Sequence, residues 1–219
     1  MMTGNYLSEL IIKGLYVSDS NSYYSVNFYQ FFNRIEVYDM YVEHTDALEI
    51  FVFEFRFANT IIMDNITINN NDISSNDPTG IFYLNTFGGG LIKLSNIKIM
   101  NSDIGTKHVF EYRISRTGSM IIENVYANNV TLGTDTKLFK TQQLTSLTMA
   151  NNIFSQIYPQ DQGDSSTKII DLSAIHLTDQ MSYNISNTFI EQSTVGFLTL
   201  SGIDNQESLS TNFDVSNFT

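Results

Sequence analysis

The sequence predicts an all-β protein, a right-handed parallel β-helix solenoid of about seven or eight coils that forms a single domain over residues 1–219. Each coil is expected to hold roughly 25–35 residues in three short strands. Three observations support this fold: an asparagine-centred segment recurs along the chain, a second set of apolar segments recurs with the same period, and the hydrophobic alternation has period two.

The first repeat reads polar, Asn, apolar, any residue, and then small or apolar, as in Asp64-Asn65-Ile66-Thr67-Ile68. Its asparagines are separated by steps of 31, 28, 28, 35 and 25 residues. They are Asn65, Asn96, Asn124, Asn152, Asn187 and Asn212. The unequal steps indicate turns that differ in length from coil to coil.

The second repeat consists of short apolar segments that begin 28, 29, 31 and 28 residues apart. They cover residues 81–84, 109–112, 138–140, 169–172 and 197–200. Alternation such as Ile92-Lys93-Leu94 is typical of strands, whereas leucine-rich, ankyrin and tetratricopeptide repeats require helical stretches or their own fixed positions. Successive coils are therefore expected to stack about 4.8 Å apart.

The repeated asparagine lies where the alternation changes phase. In one copy Leu94 and Ile97 flank Asn96, and strict alternation would place these two apolar residues on opposite faces. The chain must therefore bend at the asparagine, which tolerates the left-handed backbone region. Asparagines stacked in one column are also expected to form an amide ladder from coil to coil.

This arrangement resembles the right-handed parallel β-helix superfamily, often called pectin-lyase-like, over roughly residues 14–219. The Asn- and Ile-rich, Pro-poor composition is also similar to that of large β-helical surface proteins of ciliates. The first resemblance implies that a polysaccharide-cleaving member would use two or three acidic side chains, or Ca²⁺ held by acidic residues beside a basic group. No signature of an enzyme family is matched.

Alignment of the second repeat predicts an outward column of Tyr83, Glu111, Lys140, Asp171 and Thr199. Glu111 and Asp171 would lie two coils apart, about 9.6 Å, which suits an inverting acid and base. Lys140 between them favours a cross-strand charge ladder instead. If the protein is an enzyme, its catalytic residues are expected to be Glu111, Asp171 and Arg113; otherwise none is expected.

Metal and cofactor sites are not predicted. Cysteine is absent, and His44, His108 and His176 are 64 and 68 residues apart, without ligand spacing. The segment Gly88-Gly89-Gly90 has no following helix or lysine, so it is interpreted as a turn and not as a phosphate loop. We therefore expect no cofactor.

The charge balance limits the partners. Eleven Lys and Arg against 23 Asp and Glu give a net charge of −12, so binding to nucleic acid and insertion into a membrane are not expected. Uncharged polar residues are abundant, with 23 Asn, 23 Ser and 21 Thr. No amino-terminal signal peptide is visible, so an extracellular or cell-surface location assumes that this is an internal part of a longer chain.

Glycosylation candidates are Asn129, Asn184 and Asn217, since each begins an Asn-X-Ser/Thr sequon. The first and third lie five residues after a position of the asparagine repeat, at an expected exposed turn. About five sequons would arise by chance from this composition, so their number does not by itself indicate secretion.

The leading functional prediction is a non-catalytic structural rod that carries sugars. No polar cap is visible at either end of the repeat array, so we expect end-to-end pairing into a filament, or pairing with neighbouring β-helix segments. The alternative is a β-helix that binds or cleaves polysaccharide, and an intracellular adaptor remains open.

Overall fold

A computed structural model describes residues 7–18, 24–28, 32–43, 51–73, 81–105, 108–173, 181–201 and 211–218. The described part contains strands and no helix. The strands are β1 (Leu7–Lys13), β2 (Tyr16–Ser18), β3 (Tyr24–Phe28), β4 (Phe32–Glu43), β5 (Phe51–Asn69), β6 (Asp72–Ile73), β7 (Phe82–Ile104), β8 (Phe110–Glu123), β9 (Tyr126–Leu132), β10 (Lys137–Pro159), β11 (Lys168–Ser173), β12 (Met181–Glu191), β13 (Gly196–Ser201) and β14 (Thr211–Phe218).

All strand pairs are parallel, and every strand belongs to one 14-stranded sheet. Each pair joins segments about one repeat apart, for example Ile97 with Ile66 and Phe139 with Phe110. The all-β parallel solenoid expected from the sequence is therefore confirmed. It makes about five turns and not the seven or eight expected.

The strands are longer than the three short pieces per coil that the sequence predicted. Strand β7 runs for 23 residues, through Asn96 and Asn101, without losing its pairing to the neighbouring coils. Both asparagines have positive φ, at 54° and 48°. One left-handed residue turns the chain while the residues beside it keep their hydrogen bonds, so the strand bends without ending.

The interior is a continuous apolar column. Phe82, Phe110 and Phe139 are fully buried, and their rings stack at centroid separations of 4.9 and 5.4 Å. Fully burying a side chain of this type contributes about 1.5–3 kcal/mol, so repetition of the column stabilises every coil in turn. One buried polar pair lies in the interior: the Tyr112 hydroxyl lies 2.8 Å from Thr86 Oγ1, and burial raises the pKa of Tyr112 above its usual value.

Candidate functional site

Two bends per coil determine which side chains reach the surface. The first, here called the first corner, has positive φ at Gly14, Asp39, Asn65, Asn96, Asn124, Asn151 and Asn187. Five residues later lies the second corner, with positive φ at Asn70, Asn101, Asn129, Gln156 and Gln192. The short stretch between the two corners forms one flat side of the solenoid, here called the central face.

Amide groups at the first corner are hydrogen-bonded from coil to coil. Asn124 Nδ2 donates to Asn96 Oδ1 at 3.2 Å, and Asn187 Nδ2 donates to Asn151 Oδ1 at 3.1 Å. In these contacts each amide donates to the preceding coil. The row begins with an acceptor, since Asp39 Oδ1 accepts from Asn65 Nδ2 at 2.7 Å.

Four of the six asparagines predicted for the ladder lie at the first corner, namely Asn65, Asn96, Asn124 and Asn187. Asn152 does not, because Asn151 occupies the corner and Asn152 points into the core, with no exposed surface. Its Oδ1 accepts a hydrogen bond of 3.0 Å from the backbone N–H of Val125, so it braces the adjacent coil from inside.

Asn212 is also displaced from the predicted position. The register of β14 places it opposite Ser182, and Ser216 opposite Ser186. Counting along the strand, Asn217 is the residue level with Asn187. Asn212 and Asn217 both lie in polar–Asn–Phe segments, so the sequence pattern does not distinguish them.

The second corner was only partly recognised from the sequence. Asn129 Nδ2 donates to Asn101 Oδ1 at 3.0 Å, as in the first corner. Further along, the row continues with glutamines, and Gln156 Nε2 donates to Gln192 Oε1 at 3.1 Å. These two glutamines lie outside the asparagine pattern, but an amide five residues after each asparagine of the first corner was the available signal.

The charged column lies in the register that the sequence predicted. Lys140 pairs with Glu111 on one side and with Asp171 on the other, while Tyr83 precedes Glu111 and Thr199 follows Asp171. Glu111 and Asp171 are therefore two coils apart, with a lysine between them. The side chain of Arg113 is outside the described residues.

Burial corrects the expectation that this column faces solvent throughout. Glu111 has no exposed surface and Tyr83 has 8%, whereas Lys140 and Asp171 are partly exposed. A polymer in solution does not reach a fully buried carboxylate. This burial was not predictable from the sequence, because strand alternation assigns a residue to one side of the strand but does not indicate what covers that side.

His108 joins this buried group. Its Nε2 lies 3.0 Å from Lys140 Nζ, and its Nδ1 lies 3.2 Å from the backbone nitrogen of Lys137. A neutral imidazole has one acceptor nitrogen, so only one of these two donors is satisfied in either tautomer. The ring therefore links the column to the turn before β10.

Asp103 and Asp164 have pKa values that are shifted in opposite directions. Asp72 and Asp103 are paired in adjacent coils, and burial together with the charge of Asp72 raises the pKa of Asp103. By contrast, hydrogen bonds from Ser166, from Thr167 and from the backbone of Asp135 lower the pKa of Asp164. Asp164 therefore serves as an anchor for its turn.

Asp164 also lines a groove with Tyr158, Pro159, Gln162 and Thr194, with a volume of about 430 Å³. It is the one acidic residue among these lining residues. Within the described ranges, no group of three or more His, Cys, Asp or Glu side chains is arranged to hold a metal ion.

The sequon asparagines differ in their surroundings. Asn129 is exposed at the second corner, and Asn184 is exposed on β12, whereas the side chain of Asn217 lies outside the described residues. Only one of the two amide hydrogens of Asn129 is used in its bond to Asn101, so the other leaves room for a substituent.

The fold and these surfaces define the chain as a parallel β-solenoid. No family model, no curated protein and no solved structure matches it. Among the described residues, no helix has the length and apolar character needed to cross a bilayer.

Proposed function

We propose that the chain is a non-catalytic structural β-helix rod at the cell surface or outside the cell, and that it extends by pairing its end strands with another solenoid segment. A relationship to the pectin-lyase-like superfamily is part of this proposal, on the grounds of architecture alone.

The proposal rests on strands that are paired on one side only. In the described residues β1 pairs only with β4, β2 only with β4, β13 only with β11 and β14 only with β12. Within the described part of the chain, each therefore has one edge without a partner strand, and such an edge is a template for a further parallel strand. A second copy supplies strands of the same spacing at its opposite end.

The side-chain arrangement supports axial growth over lateral clumping. Apolar columns and amide rows run along the solenoid axis, and amides pair with amides between Asn96 and Asn124 and between Asn101 and Asn129, whereas the net charge of −12 opposes indiscriminate contact between the sides. Sugars on Asn129 and Asn184 would further shield those sides.

Electron microscopy and light scattering of the purified chain over a range of concentrations test this proposal. We expect rods whose length increases with concentration. A stable monomer at high concentration, with the strands of both end coils protected from hydrogen exchange, would contradict it.

Secretion is tested separately by intact mass before and after glycosidase treatment of chain made in a secreting eukaryotic host. We expect a loss of mass that decreases when Asn129 is replaced by Gln. An unmodified mass would contradict the extracellular assignment while leaving the rod itself intact.

A further inference from the structure

The central face carries an exposed apolar row along the solenoid axis. The outward residue two positions after each first corner is paired with its equivalent in the next coil throughout. The row is Tyr16, Tyr41, Thr67, Lys98, Tyr126, Ile153 and Phe189. Its last three members lie in consecutive coils and are 38%, 39% and 39% exposed. These three large apolar side chains lie in adjacent coils, and a contiguous exposed apolar patch marks an interaction site.

A second outward row runs beside the first, two residues further along each strand. It consists of Ser18, Glu43, Asn69, Met100, Asn128, Ser155 and Glu191. Its members level with Tyr126 and Ile153 are Asn128 and Ser155. At the centre of this region, a row of large apolar side chains therefore lies beside a row of small polar side chains, and neither row carries a charge there.

The four coils at residues 96–101, 124–129, 151–156 and 187–192 form a patch with charge only at its extremes. Lys98 lies in the first of these coils and Glu191 in the last, and both are exposed. The corners that border the patch are uncharged amides in every coil. For a protein with a net charge of −12, this is an unusually neutral area with opposite charges at its two ends.

This charge pattern is complementary to itself when one copy is reversed. A two-fold axis along the strand direction, between the coils of Tyr126 and Ile153, places each of these residues over the other in the second copy. The same operation brings Lys98 diagonally opposite Glu191, twice in the dimer. A parallel arrangement does not bring these two charges together.

We propose that the central face binds a second copy of this chain, side by side and antiparallel, through the patch from Lys98 to Glu191. Four coils at about 4.8 Å and six residues at about 3.3 Å give a patch of roughly 400 Å² per copy. The total of about 800 Å² falls below the 1,200 Å² of stable interfaces, so the pair is weak and reversible. This contact is independent of end-to-end stacking, because it joins the middles of two rods. A sugar on Asn129, which borders the patch, would oppose it, so the cross-linking experiment uses chain made without N-glycosylation.

The absence of cysteine allows a direct test with single introduced thiols. Ser155→Cys places a thiol on the patch, and Thr148→Cys places one on a different outward side of the same strand, β10. With a short bismaleimide, we expect dimer cross-links for Ser155→Cys and at least about tenfold fewer for Thr148→Cys. End-to-end stacking does not bring either position to a second copy.

Charge exchange then tests the orientation. In the Ser155→Cys background, Lys98→Glu is expected to reduce cross-linking about tenfold, and the double exchange Lys98→Glu with Glu191→Lys is expected to restore it. Lys98, Thr148 and Glu191 are exposed and Ser155 is partly exposed, so circular dichroism should show unchanged folding. Equal cross-linking from both thiols, no cross-linking, or no recovery in the double exchange would overturn the proposal, including the case in which a different partner occupies the face.

Discussion

The amide corners and the charged column are both built by stacking equivalent positions of successive coils, yet they use different chemistry. At the corners the same kind of group recurs, because an amide both donates and accepts and can pair with a copy of itself. A carboxylate accepts only, so in the charged column Lys140 separates Glu111 from Asp171. A solenoid therefore repeats identical side chains only where they are self-complementary.

The first corner row begins with Asp39, a carboxylate that accepts hydrogen bonds but does not donate them. Asp39 accepts from Asn65 but has no hydrogen to pass to the coil before it, where the corner residue is Gly14. In the next coil Asp64 is likewise a carboxylate acceptor, because Asn96 Nδ2 donates to its Oδ1 at 2.7 Å. Hydrogen-bond chemistry therefore decides which side chains can recur along a row. Substitutions that break these hydrogen bonds should destabilise the protein to different degrees.

The largest effect is expected from Lys140→Glu. It places three acids in adjacent coils, one of them the fully buried Glu111, and should cost about 3 kcal/mol of unfolding free energy. The loss should be measurable by urea denaturation and partly relieved by salt. Lys93→Glu is the matched control, since the Lys93–Glu123 pair is partly exposed and should matter by less than about 1 kcal/mol. Equal losses of unfolding free energy for the two substitutions would contradict the expected difference between the charged column and a partly exposed pair.

A smaller loss is expected from Asn152→Leu. Leucine is close to asparagine in shape but leaves the buried N–H of Val125 without its acceptor, which should cost about 1–3 kcal/mol. Asn152→Asp is an informative companion, because it keeps an acceptor oxygen but introduces a buried charge. If Asn152→Leu melts at the wild-type temperature, its inward placement is wrong.

Replacement at an exposed corner separates backbone strain from the amide bond. Asn124→Leu should cost about 1–3 kcal/mol, since it loses the bond to Asn96 and forces leucine to a φ of 57°. Asn124→Gly removes the strain and keeps only the loss of the amide, so it should be the milder change. The reverse order in thermal denaturation would contradict the left-handed bend.

The smallest effects concern two aspartates with opposite pKa shifts. The lowered pKa of Asp164 means that its contribution to stability is present above the pKa of the unfolded chain and disappears as the pH falls. Asp164→Asn should therefore lower the melting temperature at neutral pH and flatten its decline in acid.

Asp103→Asn should act in the opposite direction. The raised pKa of Asp103 means that ionisation is unfavourable in the folded state, and its Oδ1 is buried without a hydrogen bond. Removing the charge next to Asp72 should stabilise the protein at neutral pH by less than about 1 kcal/mol, with the gain disappearing as the pH falls through the raised pKa. Melting curves between neutral and acidic pH check both signs.

The sequence was sufficient for the fold class because period, alternation and corner residues are local properties. It predicted the register of the charged column through Lys140, and it located the corners at Asn65, Asn96, Asn124 and Asn187. It failed at Asn151-Asn152, where two adjacent asparagines fit the repeat equally well and only packing decides which one turns inward.

Other features depend on contacts that no periodicity reports. The burial of Glu111 results from groups brought over it by the fold, and the corners at Gly14, Asp39, Gln156 and Gln192 use residue types outside the asparagine pattern. The self-complementary charges Lys98 and Glu191 are 93 residues apart in sequence, so their relation requires the coils to be stacked first.

Hydrogen exchange measured at increasing protein concentration tests the central claim most directly. If the rod extends by pairing its end strands, amides in β1, β2, β13 and β14 should become protected as the concentration rises, while those in the middle strands β8 and β10 stay unchanged. End strands that are already protected in the dilute monomer, or that exchange equally fast at every concentration, would contradict the account.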